Sequence, residues 1–175
     1  EIPVALAYNG TPFAVMMATP VDLHDFALGF SLSEGIVARA DELQVDAIET
    51  SLEGISIALA IPPQRAALLE QRNRNLQGRS SCGICGTASI EAVLRPPPPV
   101  GAGINIGAHM LDRALHEFHA QQTLNAVTGA THAAGWADAD GRILLVREDV
   151  GRHNALDKLI GAMARGGIAP QSGFA

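Results

Sequence analysis

The alternation of apolar and polar positions at the start of the chain predicts a β-hairpin. Ile2–Tyr8 alternates, Asn9-Gly10 is a strong turn signal, and residues 13–17 can form the returning strand. Residues 45–49 and 55–61 are typical of a second strand pair around a four-residue turn. The first part of the chain is therefore expected to contribute strands to a sheet.

Apolar residues at helical spacing predict helices between and after these strands. In the first helix, Thr19 is expected to cap the N-terminus, Pro20 to occupy the first position, and Gly35 to end the helix. Further helices are predicted at residues 64–74, 87–94, 105–122 and 155–163. Prolines 96–99 exclude helix there and form a connector.

The last third of the chain combines strands, a turn and a charged loop. Residues 128–136 and 142–146 flank a hairpin turn, and the second strand runs into a Gly-containing loop that opens a helix. Such a junction presents backbone N–H groups at one point, which is a common place for a phosphate. Residues 171–175 read as the start of another strand, so the chain is expected to be truncated.

Composition favours one domain with a real core over residues 1–175. We expect an N-terminal part at 1–95, a Pro-rich crossover at 96–104 and a helix-hairpin-helix core at 105–175. The net charge is −6, and no run of Lys or Arg occurs, which argues against broad nucleic-acid binding. No apolar run is long enough to span a bilayer, and no signal-peptide pattern begins the chain, so cytoplasm is the expected location.

The two cysteines, Cys82 and Cys85, are the first candidate for chemistry. Gly83 and Gly86 keep the sulfurs accessible, and a following helix N-terminus favours thiolate over thiol. Four interpretations fit a single C-x-x-C pair: structural zinc with ligands from elsewhere, disulfide exchange, an inert pair, or a persulfide carrier. The spacing alone does not select among them.

The charged segment 148–158 is the second candidate. Arg152 and Lys158 suit phosphate, His153 suits proton transfer or orientation of a partner, and Asn154 lies one helical turn from Lys158. A salt-bridged helix start explains the same residues. His132 lies in a segment that contains glycine and hydroxyl residues and therefore permits close ligand approach. A histidine buried in a strand explains the same pattern.

A polar stripe on the helix predicted at 105–122 raises the question of a metal site. His109, Asp112, His116 and His119 recur at helical spacing and could hold an ion. A solvated helix face explains the stripe as well and is the preferred interpretation. We therefore predict no permanently bound metal.

Five segments together resemble the FdhD/NarQ family of formate dehydrogenase accessory sulfurtransferases. They are E-I-P-V-A-L-A-Y-N-G, T-P-V-D-L-H-D-F-A-L-G-F-S-L-S-E-G-I-V, S-C-G-I-C-G, T-G-A-T-H-A-A and R-E-D-V-G-R-H-N-A-L-D-K. The resemblance implies a three-layer αβα sandwich similar to cytidine deaminases, with a mixed sheet and an N-terminal β-hairpin region. The deaminase metal motif is absent. Ala130 also replaces the second glycine of the family's usual T-G-G.

The resemblance implies an enzyme, a sulfurtransferase acting through a cysteine persulfide. Sulfur would pass from a cysteine desulfurase to the molybdenum bis-molybdopterin guanine dinucleotide cofactor of formate dehydrogenase, with a homodimer as the expected state. Cys82 would carry the sulfur and Cys85 would assist its transfer. The implied cofactor-binding residues are Gly83, Gly86, His132, Arg152, His153, Asn154 and Lys158. A cofactor-binding chaperone with dispensable cysteines and a dithiol oxidoreductase remain alternatives.

Overall fold

The computed structural model of the protein describes residues 1–76 and 103–175. The predicted helix at 87–94, the proline connector at 96–99, and Cys82, Gly83, Cys85 and Gly86 lie outside the described residues.

The first sheet contains four strands in the order β2-β1-β4-β3. Its strands are β1 (Ile2–Tyr8), β2 (Thr11–Ala18), β3 (Gln44–Thr50) and β4 (Ile55–Ala60). β1 pairs with β2 antiparallel and with β4 parallel, and β3 pairs with β4 antiparallel. Both predicted strand pairs are confirmed. Asn9 and Gly10 have φ values of 48° and 79°, the positive angles that a tight two-residue hairpin turn requires.

Helix α1 (Leu23–Ser33) covers one face of this sheet, and α2 (Pro63–Leu76) follows β4. Phe26, Ala27 and Phe30 of α1 pack in one apolar cluster with alternate residues of β1 and β4, among them Leu6 and Leu59. The alternation recognised in the sequence therefore places one side of each strand in the core.

The predicted start of α1 is wrong. The helix begins at Leu23, with Asp22 before it at a φ of 54°. Thr19 does not cap it. Its backbone N–H instead donates to the carboxylate of Asp149 (2.9 Å), and its hydroxyl accepts from the N–H of Val150 (3.0 Å). The predicted end is confirmed, since Gly35 follows the helix with a φ of 65°.

The second sheet has the strand order β6-β5-β7. The elements of this region are α3 (Ala108–Ala120), α4 (Thr123–Thr128), β5 (His132–Asp138), β6 (Ile143–Asp149), α5 (Arg152–Arg165) and β7 (Gly173–Phe174). The single helix predicted at 105–122 is thus shorter, and a second short helix follows it. That second helix displaces the predicted start of β5 from residue 128 to His132. β7 confirms the strand expected near the end.

Helices α3 and α5 lie on opposite faces of the second sheet. A side chain on Gly135 would meet the ring of Phe118 of α3, whereas the next residue, Trp136, packs against Leu159 and Met163 of α5. Successive strand residues point to opposite faces, so these contacts define a helix–sheet–helix sandwich. The α/β class and the N-terminal hairpin are therefore confirmed, with the described strands divided between two sheets.

The two sheets are joined through an antiparallel contact between α1 and α5. Gly29 and Gly161 make the close approach possible, because a Cβ on either would overlap the backbone carbonyl of the facing helix, at Asp157 or Asp25 respectively. No helix within residues 1–76 or 103–175 is long and apolar enough to cross a membrane.

Candidate functional site

Three predicted site residues share one exposed edge of the second sheet. The strand register pairs His132, the first residue of β5, with Asp149, the last residue of β6. Residues 150–151 then lead directly into α5, whose first two residues are Arg152 and His153. All three side chains are exposed. His132, Arg152 and His153 are called the basic edge below.

Asp149 is fully buried directly behind the basic edge, and its two carboxylate oxygens accept four hydrogen bonds. One oxygen accepts from the N–H of Thr19 (2.9 Å) and from the ammonium of Lys158 (2.6 Å). The other accepts from the N–H of Gly151 (2.9 Å) and from the side-chain amide of Asn154 (3.0 Å). Asp149 therefore ties the loop before α5 to the end of β2.

Lys158 faces inward, contrary to its interpretation as a phosphate ligand. Its side chain is fully buried, and its ammonium contacts the carbonyls of Thr19 (3.0 Å) and Glu148 (3.2 Å) as well as Asp149. Three acceptors use all three ammonium hydrogens. The helical spacing that placed Lys158 near Asn154 is correct, but both side chains turn toward the interior.

Asn154 has a similar position. It is buried, and its side-chain amide donates to the carbonyl of Met17 (2.9 Å) and to Asp149 (3.0 Å). Both amide hydrogens are thereby used within the protein. The contacts of Asn154 hold the end of β2 against α5, and its binding to a cofactor stays a prediction.

Glu148 begins the charged segment 148–158, but the sequence interpretation assigned it no role of its own. It is buried, and its carboxylate accepts from the backbone N–H groups of Leu124 (2.8 Å) and Asn125 (2.7 Å) and from the hydroxyl of Thr131 (3.2 Å). It therefore caps α4 and holds the residue before His132. The signal in the sequence is a pair of acidic residues ending a strand, where solvent exposure would be the usual expectation.

The first turns of α5 also carry an acidic group with an altered pKa. Burial raises the pKa of Asp157 above its ordinary value, and the nearby charge of Glu34 raises it further. A hydrogen bond from the Ser33 hydroxyl (2.6 Å) and the neighbouring His153 act in the opposite direction. His153, a member of the basic edge, thus also lies near a carboxylate on the same helix.

Two other regions lack the chemistry of the basic edge. A groove of about 310 Å³ between α3 and the second sheet is lined by apolar residues, including Leu111, Phe118 and Phe174. The stripe that includes His109 and His116 is exposed on α3. Within the described ranges, no three histidine, cysteine or acidic side chains come together as a metal site.

Comparison with known proteins relates the whole chain to one family. The model of the FdhD/NarQ family matches residues 1–175. The chain is 64% identical over 175 residues to the sulfur carrier protein FdhD of Xanthomonas axonopodis pv. citri, and 52% identical over 173 residues to that of Cupriavidus necator. These matches cover 100% and 99% of the chain.

A solved structure extends the likeness to the fold. It is a protein from Desulfotalea psychrophila described as a formate dehydrogenase accessory protein, with a TM-score of 0.68 and 24% identity over 98% of the chain. The chain covers 62% of that protein, and 62% and 60% of the two relatives above. It therefore spans about three fifths of the length of the proteins that it matches.

Proposed function

The chain belongs to the FdhD/NarQ family, and we propose that it carries sulfur for the maturation of formate dehydrogenase. The observation that carries the proposal is the 64% identity, over all 175 residues, to a protein named sulfur carrier protein FdhD. The matched region includes Cys82 and Cys85, the pair whose chemistry the sequence left open.

The proposed enzyme is a sulfurtransferase that works through a persulfide. The Cys82 thiolate attacks the outer sulfur of a persulfide on a cysteine desulfurase, the old S–S bond breaks, and the desulfurase thiolate leaves. Cys85 then attacks the inner sulfur of the Cys82 persulfide. A Cys82–Cys85 disulfide forms, and the outer sulfur leaves as sulfide to the acceptor. A thiol reductant must return two electrons to the disulfide before the next cycle.

The proposed acceptor is the molybdenum bis-molybdopterin guanine dinucleotide cofactor, which is a substrate here. Its phosphates are anionic, and the basic edge offers them exposed donors. Arg152 can bind a phosphate through two parallel N–H bonds, and His132 and His153 can add single donors. Gly83 and Gly86 would allow the cofactor to approach the sulfur. We further propose a cytoplasmic homodimer.

A rescue experiment tests the role of the cysteines. The complete protein is expressed in cells that lack their own copy, and formate dehydrogenase activity is measured. Cys82→Ala is expected to abolish activity because no sulfur can be carried, and Ser81→Ala serves as the matched control that retains it.

Each alternative predicts a different result. If the double variant Cys82→Ser and Cys85→Ser restores activity as well as the wild type does, the protein is a cofactor-binding chaperone and the proposal is wrong. Reduction of insulin with a defined two-electron potential would instead indicate a dithiol oxidoreductase.

A further inference from the structure

Two consecutive buried carboxylates end β6, immediately behind the basic edge. Glu148 is 6% exposed and Asp149 is fully buried. Side chains of successive strand residues point to opposite faces of a sheet. Each carboxylate therefore reaches a different neighbouring element, although only one peptide bond separates them.

Glu148 anchors the part of the chain that leads into β5. Its carboxylate receives two backbone N–H groups at the start of α4, from Leu124 and Asn125, and the hydroxyl of Thr131. Thr131 directly precedes His132. The carboxylate thus fixes where β5 begins, and with it the position of His132 on the basic edge.

Asp149 anchors the part of the chain that leads into α5. It receives the N–H of Gly151, the residue before Arg152, and its charge is balanced by Lys158. The N–H of the intervening Val150 donates to the hydroxyl of Thr19, and the backbone N–H of Thr19 donates to Asp149. Asp149 is therefore a second anchor. It fixes the direction in which the chain leaves the sheet, and with it the positions of Arg152 and His153.

We propose that Glu148 and Asp149 are positioning residues that set the spacing between His132 and the Arg152–His153 pair for a phosphate-bearing ligand. The inference rests on the proposed function, since the ligand is the guanine dinucleotide part of the acceptor. Recognition of a phosphate by several donors requires each donor to be held near its bound position in advance. Apolar residues could fill the same volume, but they would not accept the backbone N–H groups that hold the segments before β5 and before α5.

The test measures binding of guanosine diphosphate to the complete protein by titration calorimetry at 20 °C. Glu148→Gln keeps the size of the side chain but turns an N–H₂ group toward an N–H donor. We expect the dissociation constant to rise roughly ten-fold because His132 is displaced. The matched control is Glu117→Gln, which makes the same change in a carboxylate that accepts the backbone N–H of Ile143 (3.0 Å). Ile143 begins β6, at the opposite end of the strand from Glu148, so this change should leave binding unchanged.

A double-mutant cycle separates positioning from general destabilisation. If Glu148 acts through His132, adding Glu148→Gln to a His132→Ala variant should weaken binding no further, whereas adding it to Arg152→Ala should weaken binding by the full factor. A merely structural role would give the same additional loss in both backgrounds. That result would overturn the inference for Glu148.

The role of Asp149 is tested through Thr19 rather than by substituting Asp149 itself. Asp149→Asn would leave the buried Lys158 charge unbalanced and could unfold the protein. Thr19→Val removes the acceptor for Val150 and keeps the buried ion pair. It should weaken binding in the wild-type background and not in a background that combines Arg152→Ala with His153→Ala. Wild-type affinity in both Glu148→Gln and Thr19→Val would overturn the inference while leaving the proposed function intact. Failure of the wild-type protein to bind the nucleotide would contradict both.

Discussion

Helix α1 packs on the first sheet through a broad apolar core. The contact between α5 and the second sheet instead combines a small apolar cluster with buried charges. Phe26, Leu6 and Leu59 are almost fully buried in the first region. In the second, Leu159 and Met163 pack against Trp136, and beside them lie the Asp149–Lys158 ion pair and the Glu148 carboxylate.

The first region chiefly stabilises the fold, whereas the buried charges of the second region also fix the direction of loops. Apolar burial is strong but has no preferred direction, whereas a hydrogen bond weakens steeply when its geometry changes. The hydrogen bonds of Glu148 and Asp149 lie where the chain carries His132, Arg152 and His153. We infer that the first region serves as a scaffold and that the second presents the ligand-binding groups.

The largest expected effect comes from breaking the buried ion pair. Lys158→Met leaves the Asp149 carboxylate buried without its partner charge, and we expect the free energy of unfolding to fall by about 3–5 kcal/mol. Urea denaturation of the complete protein measures this loss.

Two further variants show whether burial causes the effect. Arg113→Ala breaks an exposed pair with Glu117 and should cost less than about 1 kcal/mol. Combining Lys158→Met with Asp149→Asn should recover part of the loss, since no uncompensated charge remains. Equal losses for Lys158→Met and Arg113→Ala would contradict the assignment of the effect to burial of the ion pair.

A smaller effect is expected from matched truncations of apolar side chains. Leu59→Ala should lower the free energy of unfolding by about 2–5 kcal/mol, because it leaves a cavity in the first core. Leu145→Ala in β6 should cost roughly 1–2 kcal/mol, because Leu145 is only partly buried and less apolar surface is lost.

Urea denaturation of both variants under identical conditions provides the comparison. A loss for Leu145→Ala as large as that for Leu59→Ala would mean that the second region also depends chiefly on apolar packing.

The smallest expected effect concerns Asp157, at the contact between α1 and α5. Burial raises the pKa of Asp157 in the folded protein, so the folded state holds this proton more tightly than the unfolded state does. The contribution of Asp157 to stability is therefore greatest at low pH and decreases as the pH rises from about 4 through the folded-state pKa. Asp157→Asn should remove this dependence and retain an acceptor for the Ser33 hydroxyl.

The measurement is the free energy of unfolding as a function of pH for wild type and variant. The wild type should lose stability relative to Asp157→Asn over that range, and an exposed control, Asp112→Asn, should follow the wild type. A difference of the opposite sign would contradict the assigned direction of the pKa shift.

The parts of the fold that the sequence predicts are those determined by local chemistry. Asn9-Gly10 specifies its hairpin, and Gly35 ends α1, because positive φ angles depend on the residue itself. The start of α1 was predicted wrongly because Thr19 binds Asp149 and Val150, residues about 130 positions away. Helix α4 was missed for a related reason, since its N-terminal N–H groups bind Glu148.

The same limit applies to the candidate site. Arg152 and His153 were correctly placed at the start of a helix after a charged loop, and the motif containing His132 lies on the same edge. The charge of Lys158 suits a phosphate, but the direction of its side chain depends on Thr19 and on the end of β6. Helical spacing does not contain that information.

The most direct test of sulfur carriage is the mass of the intact complete protein after incubation with a cysteine desulfurase and cysteine. We predict that the wild type gains the mass of one sulfur atom, that the gain is reversed by a thiol reductant, and that Cys82→Ala shows none. A Cys82→Ala protein that gains the same mass, or a wild type that gains none, would contradict the account.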